Sequence, residues 1–174
     1  VTFRLHRDLT AVEDLADRFM AVERLGWKGE AGSALADRPA EAAFFREVVS
    51  ALGARRSLFF VELTIGGRTV AMTSNFVAGR TLFCFKTAYD PAFGDCSPGI
   101  LAELEGVRLL HEDPGLLRAD SCSSADSYVR AYFRKERRLQ RLWVATGGPA
   151  SRLLVRTRRL FDEARAQGRL LAAP

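Results

Sequence analysis

Ser97-Pro98-Gly99 stands where a helical pattern begins, after a polar loop that leaves an apolar run carrying Lys86. Ser97 has the side chain of a helix N-cap. Proline is tolerated in a first helical turn because the N–H it lacks would be unpaired there anyway. Gly99, Ile100 and Leu101 would then present free amides at the positive end of the helix dipole, with no side chain on Gly99 to block a ligand. Such a helix start suits a phosphate, and it equally suits a capped helix that binds nothing. Lys86 is unusual in its run. Its strand neighbours Leu82 and Cys84 point the same way and are apolar. A lysine there pairs internally, with Asp120 as a candidate partner, or reaches the surface, or meets a phosphate. Tyr89 suits ring packing with a solvated hydroxyl, and Asp90 before Pro91 is a turn starter.

These residues need elements to position them. TFRLHR (2–7) alternates as a first strand. Residues 9–27 are strongly helical, with Thr10 and Glu13 as a capping box and Val12, Leu15, Phe19, Val22 and Leu25 on one face. The stretch WKGEAGSAL reads as a loop. A second helix spans 39–53, from Pro39 to Gly53. The period then changes to that of strands over 57–65, 69–77 and 81–89, with Gly66-Gly67 and Ala78-Gly79-Arg80 as hairpin turns. A helix over 98–112 and a strand over 116–122 complete a parallel crossover. A helix over 126–135 capped by Asp126, a strand over 139–146 and a last helix from Pro149 to about Gln167 follow. The order is β-α-α-β-β-β-α-β-α-β-α, an α/β (α+β) fold with one mixed sheet between helices.

The chain has 174 residues, so one domain spanning 1–174 is expected. Val1 in place of a starting Met fits a domain cut from a longer protein. No apolar run reaches membrane-spanning length. The three cysteines, Cys84, Cys96 and Cys122, match neither a zinc pattern nor an even disulfide framework, and His6 and His111 have no paired ligand in sequence. A cytoplasmic setting and no metal are expected. The net charge is +5, and the excess of arginine sits late, most of it in 134–141 and 151–161. They read as solvated faces or as a surface for a polyanion, without the interleaved aromatics that stack bases.

Taken together, WK…G at 27–29, KTAYDPAFGDCSPG at 86–99 and ADSC…DSYVRAYF at 119–133 resemble an acetyltransferase-like domain of the GNAT superfamily. The nearest branch is the CelD-type proteins of bacterial polysaccharide biosynthesis, related to Fem-type aminoacyl transferases. The resemblance covers most of residues 2–146. It implies a GNAT-like fold and an acyltransferase that moves an acyl group from acetyl-CoA, or another acyl-CoA, to an amine acceptor, with nucleic acid not the expected partner. The pyrophosphate is then expected on Ser97, Gly99, Ile100 and Leu101, with Lys86, Thr87, Ala88 and Tyr89 along the rest of the cofactor. A backbone amide near Thr87 or Ala88 would hold the oxyanion. Asp120 is the candidate base and Tyr128 the candidate acid for the leaving thiolate. Asp120 equally suits a partner for Lys86 or Arg130, and Tyr128 a helix aromatic packed on the sheet. The glycine-rich form of the pyrophosphate loop, Arg/Gln-x-x-Gly-x-Gly/Ala, is replaced by Ser-Pro-Gly. Arg130 stands close to where relatives carry a lysine. The alternatives are a non-catalytic binding or assembly module of the same fold, or a Fem-like transferase using aminoacyl-tRNA.

Overall fold

A computed structural model describes residues 1–7, 12–124, 127–133, 135–139 and 142–158. The chain divides into two compact units, Val1–Arg134 and Lys135–Pro174. The first unit holds β1 (Thr2–His6), α1 (Val12–Leu25), α2 (Trp27–Glu30), α3 (Pro39–Ala54), β2 (Leu58–Ile65), β3 (Arg68–Ala78), β4 (Thr81–Tyr89), α4 (Pro98–Glu112) and β5 (Arg118–Asp120). The five strands form one sheet in sequence order, antiparallel except for the parallel β4–β5 pair.

The sheet separates two apolar layers. On one face, Leu15 and Phe19 of α1 and Phe45 and Val49 of α3 pack on Phe60, Met72 and Ala88. On the other, Ala102 and Leu109 of α4 cover Val61, Leu63, Val70 and Leu82. The mixed sheet between helices is therefore as the alternation of patterns foretells, because each amphipathic helix has one apolar stripe to bury.

Several local expectations change. WKGEAGSAL is not a plain loop. Gly26 is extended, and α2 starts immediately after it. A Cβ on Gly29 would lie 1.8 Å from the Arg24 carbonyl oxygen, so only glycine lets α2 fold back on the end of α1. The strand expected over 116–122 is ladder-paired only at Arg118–Asp120. The helix expected over 126–135 is reduced to a 3-10 turn, Tyr128–Ala131. This aromatic-rich stretch directs Tyr128 and Tyr132 onto α4. Thr10 and Asp126, the expected caps, lie outside the described residues. In the second unit, residues 139 and 142–146 of the expected strand are irregular and 149–158 are helical. Leu139, Leu142 and Val144 are exposed there, and a strand pattern with no half-buried surface to fit does not become a strand. Within that unit the Arg158 guanidinium lies 5.4 Å from the centre of the Trp143 ring. No helix among the described residues is long and apolar enough to cross a membrane.

Candidate active site

Two features of β4 build the site. The first is a bulge. Asn75 of β3 faces Cys84 while the adjacent Ser74 faces Lys86, so Phe85 is an extra residue on β4. The bulge reverses which face each later side chain takes. Leu82 and Cys84 belong to the α4 side, whereas Lys86 and Ala88 turn to the α1 side, where Ala88 joins the core. Thr87 and Tyr89 now face α4. The expectation that Lys86 shares a face with Leu82 and Cys84 is corrected by this one inserted residue.

The second feature is a parting of strands. The β4–β5 ladder ends at Phe83↔Asp120, so β4 continues to Tyr89 with an uncovered edge. Asp90 N–H donates to the Val70 carbonyl at 2.8 Å, which fixes the phase of the β3–β4 ladder. Alternation along an antiparallel strand then turns the backbone groups of Ala88 toward β3 and those of Thr87 and Tyr89 toward the uncovered edge. Of the two expected amides, Thr87's is the one that faces outward.

Beyond Tyr89, the Asp90 carboxylate accepts the Ala92 amide at 3.0 Å and caps the turn Pro91–Cys96. Arg68 also donates to this carboxylate, which is buried. The chain enters α4 through Ser97 in the left-handed region, φ 49° and ψ 50°, with no capping bond from its side chain. Ser97 is thus not the side-chain N-cap its type suggests. Its carbonyl accepts the Leu101 amide at 3.1 Å, which removes Leu101 from the set of free donors. Among the described residues, no acceptor pairs with the amides of Gly99 and Ile100. Gly99 is buried against β4, and a Cβ there would sit 3.2 Å from Tyr89 Cδ1 and 3.3 Å from Thr87 Cγ2. Glycine lets the helix start press onto the strand edge.

A cavity of about 610 Å³ opens at this junction. Lys86, Thr87, Tyr89, Ser97, Gly99, Ile100 and Tyr128 of the expected set line it, whereas Ala88, Leu101 and Asp120 do not. The Asp120 carboxylate accepts the Cys122 amide at 3.0 Å, shaping the turn after β5. Lys86 reaches Glu23 of α1, 3.3 Å from its Oε1, and not the expected Asp120.

Sequence reasoning passed over two acidic residues: Glu103, which lines the cavity, and Glu23, which holds the lining lysines Lys28 and Lys86 from behind. Glu103 on α4 accepts hydrogen bonds from Thr87 Oγ1 at 2.6 Å, from Tyr128 Oη at 2.9 Å and from Tyr132 Oη. Burial, and then the Glu103 carboxylate, push the Tyr128 and Tyr132 hydroxyls above the usual phenol range, so both are neutral at physiological pH. Burial, and then the same carboxylate, push the Cys84 thiol up to about 12. Glu23 is 4% exposed and accepts Lys28 at 2.7 Å and the Leu35 amide at 2.9 Å. Burial opposes its ionisation, yet Lys28, the Leu35 amide and Lys86 outweigh burial and hold the carboxyl below its usual range. Glu103 sits one helical turn beyond Gly99, a spacing that could have flagged it. Glu23 carries no such signal, since it lies on an otherwise apolar helix face.

The acetyltransferase (GNAT) domain family matches residues 1–130. No curated protein matches. Among solved structures, a possible acetyltransferase from Clostridium difficile 630 is similar at TM-score 0.60 and 13% identity, covering 82% of this chain and 97% of that one. The PaiA N-acetyltransferase from Thermoplasma acidophilum, in complex with coenzyme A, is similar at TM-score 0.50 and 12% identity, covering 77% and 87%. AAC(6')-Iy in complex with the bisubstrate analogue CoA-S-monomethyl-acetylneamine is similar at TM-score 0.53 and 12% identity, covering 85% and 100%. At these identities the likeness to solved structures is one of fold. The family match spans every strand of the sheet and the helix start just described, and by it the chain belongs to the acetyltransferase (GNAT) domain family, whose acyl donor is acetyl-CoA.

Proposed function

We propose that this chain moves the acetyl group of acetyl-CoA to a primary amine, with the donor's pyrophosphate on the amides of Gly99 and Ile100. One observation carries the reading: two amides at a helix N-terminus have no acceptor of their own among the described residues and border a cavity where β4 and β5 part. The residues fit the donor. Gly99 keeps side-chain atoms out of the closest approach between helix and strand, and the dipole of α4 favours negative charge at this end.

Acetyl-CoA supplies an activated acetyl thioester. The chain's own groups do the rest. The outward amide of Thr87 is a donor for negative charge developing on an acyl oxygen, and removing one such donor typically costs on the order of 10²-fold in rate. An attacking amine must lose a proton. Tyr128 directs its hydroxyl hydrogen at Glu103, so its oxygen offers a lone pair to the cavity. That orientation suits accepting the amine's proton while passing its own to Glu103, more than donating to a thiolate. Glu103 takes the role first sought in Asp120. The CelD-type resemblance of 86–99 and 119–133 supports an acceptor from polysaccharide or cell-envelope synthesis.

Thermal denaturation with CoA and acetyl-CoA tests the reading. At a ligand concentration 100 times Kd, stability rises by about 2.7 kcal/mol, or roughly 5–10 °C for a chain of this size. Gly99→Val, which overlaps Tyr89 and Thr87, removes the shift. A flat response to both ligands refutes the proposal.

A further inference from the structure

We infer that the cavity wall opposite the α4 cradle is an acceptor subsite for an amine that also carries an acidic group, a carboxylate or a phosphate. This rests on the transferase reading above.

The bulge at Phe85 places Lys86 on the α1 face of the sheet, whereas Thr87, Tyr89 and Gly99 meet on the α4 face. The cavity therefore has two walls of different chemistry. The α4 wall holds the free amides and Glu103. The α1 wall holds Lys28, Lys86 and the Trp27 ring. Both ammonium groups converge on one oxygen, Glu23 Oε1, at 2.7 and 3.3 Å, while Glu23 Oε2 takes the Leu35 amide. One lysine is enough to neutralise Glu23. The second leaves a net positive charge, and each ammonium keeps further N–H donors beyond its bond to Glu23. Both side chains are 26% exposed, so these donors are accessible.

Such an arrangement is poor as a purely structural ion pair, because like charges side by side oppose each other. It is well formed as a fixed cationic clamp, because the buried Glu23 pins both side chains before any ligand arrives. Exposed aromatic rings flank the clamp. Trp27 is 67% exposed with Lys28 Nζ 5.8 Å from its centre, and Phe85 is 40% exposed with Lys86 Nζ 5.9 Å from its centre. The acceptor that fits has an acidic group for the two ammoniums, a flat or apolar body for the rings, and an amine directed across the cavity toward Tyr128.

The experiment is calorimetric titration of the full chain, saturated with CoA, with three probes: benzylamine, 4-(aminomethyl)benzoate and 4-(aminomethyl)phenylphosphonate. The expected result is that at least one acid binds about tenfold or more tightly than benzylamine, as befits hydrogen bonds to a charged group. The tighter acid identifies the acidic group. Lys28→Gln and Lys86→Gln each remove most of that advantage. Each single variant leaves Glu23 one lysine, so folding survives and is checked by thermal denaturation. Equal affinity for the three probes, no binding of either acid, or indifference to both substitutions overturns the subsite while leaving the transferase reading intact. Absence of CoA binding overturns both.

Discussion

Replacing Glu23 by glutamine isolates the clamp that the α1 wall depends on. The carboxylate is 2% exposed in its side chain and accepts two ammoniums and one amide. The substituted carboxamide is isosteric but has one acceptor oxygen. With that oxygen turned toward Leu35, the carboxamide offers N–H donors to Lys28 and Lys86. With it turned toward the lysines, the Leu35 amide faces another donor. In either orientation at least one donor loses its acceptor, and two cations lose their counter-charge. Removing one member of a fully buried pair costs about 3–5 kcal/mol, and hydrogen bonds to charged groups contribute about 1.5–3 kcal/mol. The lysines are partly hydrated, which lowers the expected loss to about 2–4 kcal/mol in urea denaturation at neutral pH. The pH dependence gives the stricter test. The folded carboxyl titrates below its usual range, so its contribution is complete above the unfolded value of about 4.3 and is lost as pH falls through the folded value. The gap between wild type and Glu23→Gln should therefore narrow steadily as the pH falls below about 5. A gap that stays constant below that pH, or one under about 1 kcal/mol at neutral pH, would refute the reasoning.

Glu103→Gln removes the carboxylate from all three hydroxyls and leaves at least one of them without an acceptor; kcat for acetyl transfer should fall by about 10²–10⁴-fold with the KM for acetyl-CoA little changed, measured by thiol release. A kcat within a few-fold of wild type would remove Glu103 from the proton path. Asp90→Ala abolishes the cap on Ala92 and leaves Arg68 without its buried partner. A destabilisation of about 1–2 kcal/mol, seen as a fall of roughly 2–8 °C in Tm, is expected, together with a weaker response to CoA because the loop delivers Ser97 to α4.

Much of the scaffold was legible because its signals are local. The helices over 12–25 and 39–54 carry apolar faces at helical spacing. The hairpins announce themselves through Gly66-Gly67 and Gly79, all with positive φ. Pro98 marks the start of α4 to the residue. Elements at the end of the chain were less legible. The runs at 126–135 and 139–146 have suitable residue types, but a helix or strand needs a surface to bury its apolar side, and nothing local specifies that surface. The site divides the same way. Gly99 and Ile100 could be located from Ser-Pro-Gly alone, whereas Glu23 and Glu103 could not be assigned partners. Glu23 meets Lys86 across 63 positions of sequence, and Glu103 meets Tyr128 across 25.

By itself, the order of residues determined where the helices and strands up to α4 form, that β4 leads through a turn into a helix start with a glycine at its second position, and that an anion could rest there. Those are consequences of φ/ψ preference, periodicity and unpaired amides within a few residues. The tertiary structure alone decided which way Lys86 points, since one unpaired residue at Phe85 exchanges the two faces of the strand beyond it. It also decided which carboxylates meet which donors, because a sheet brings together side chains whose separation along the chain contains no information about their contact.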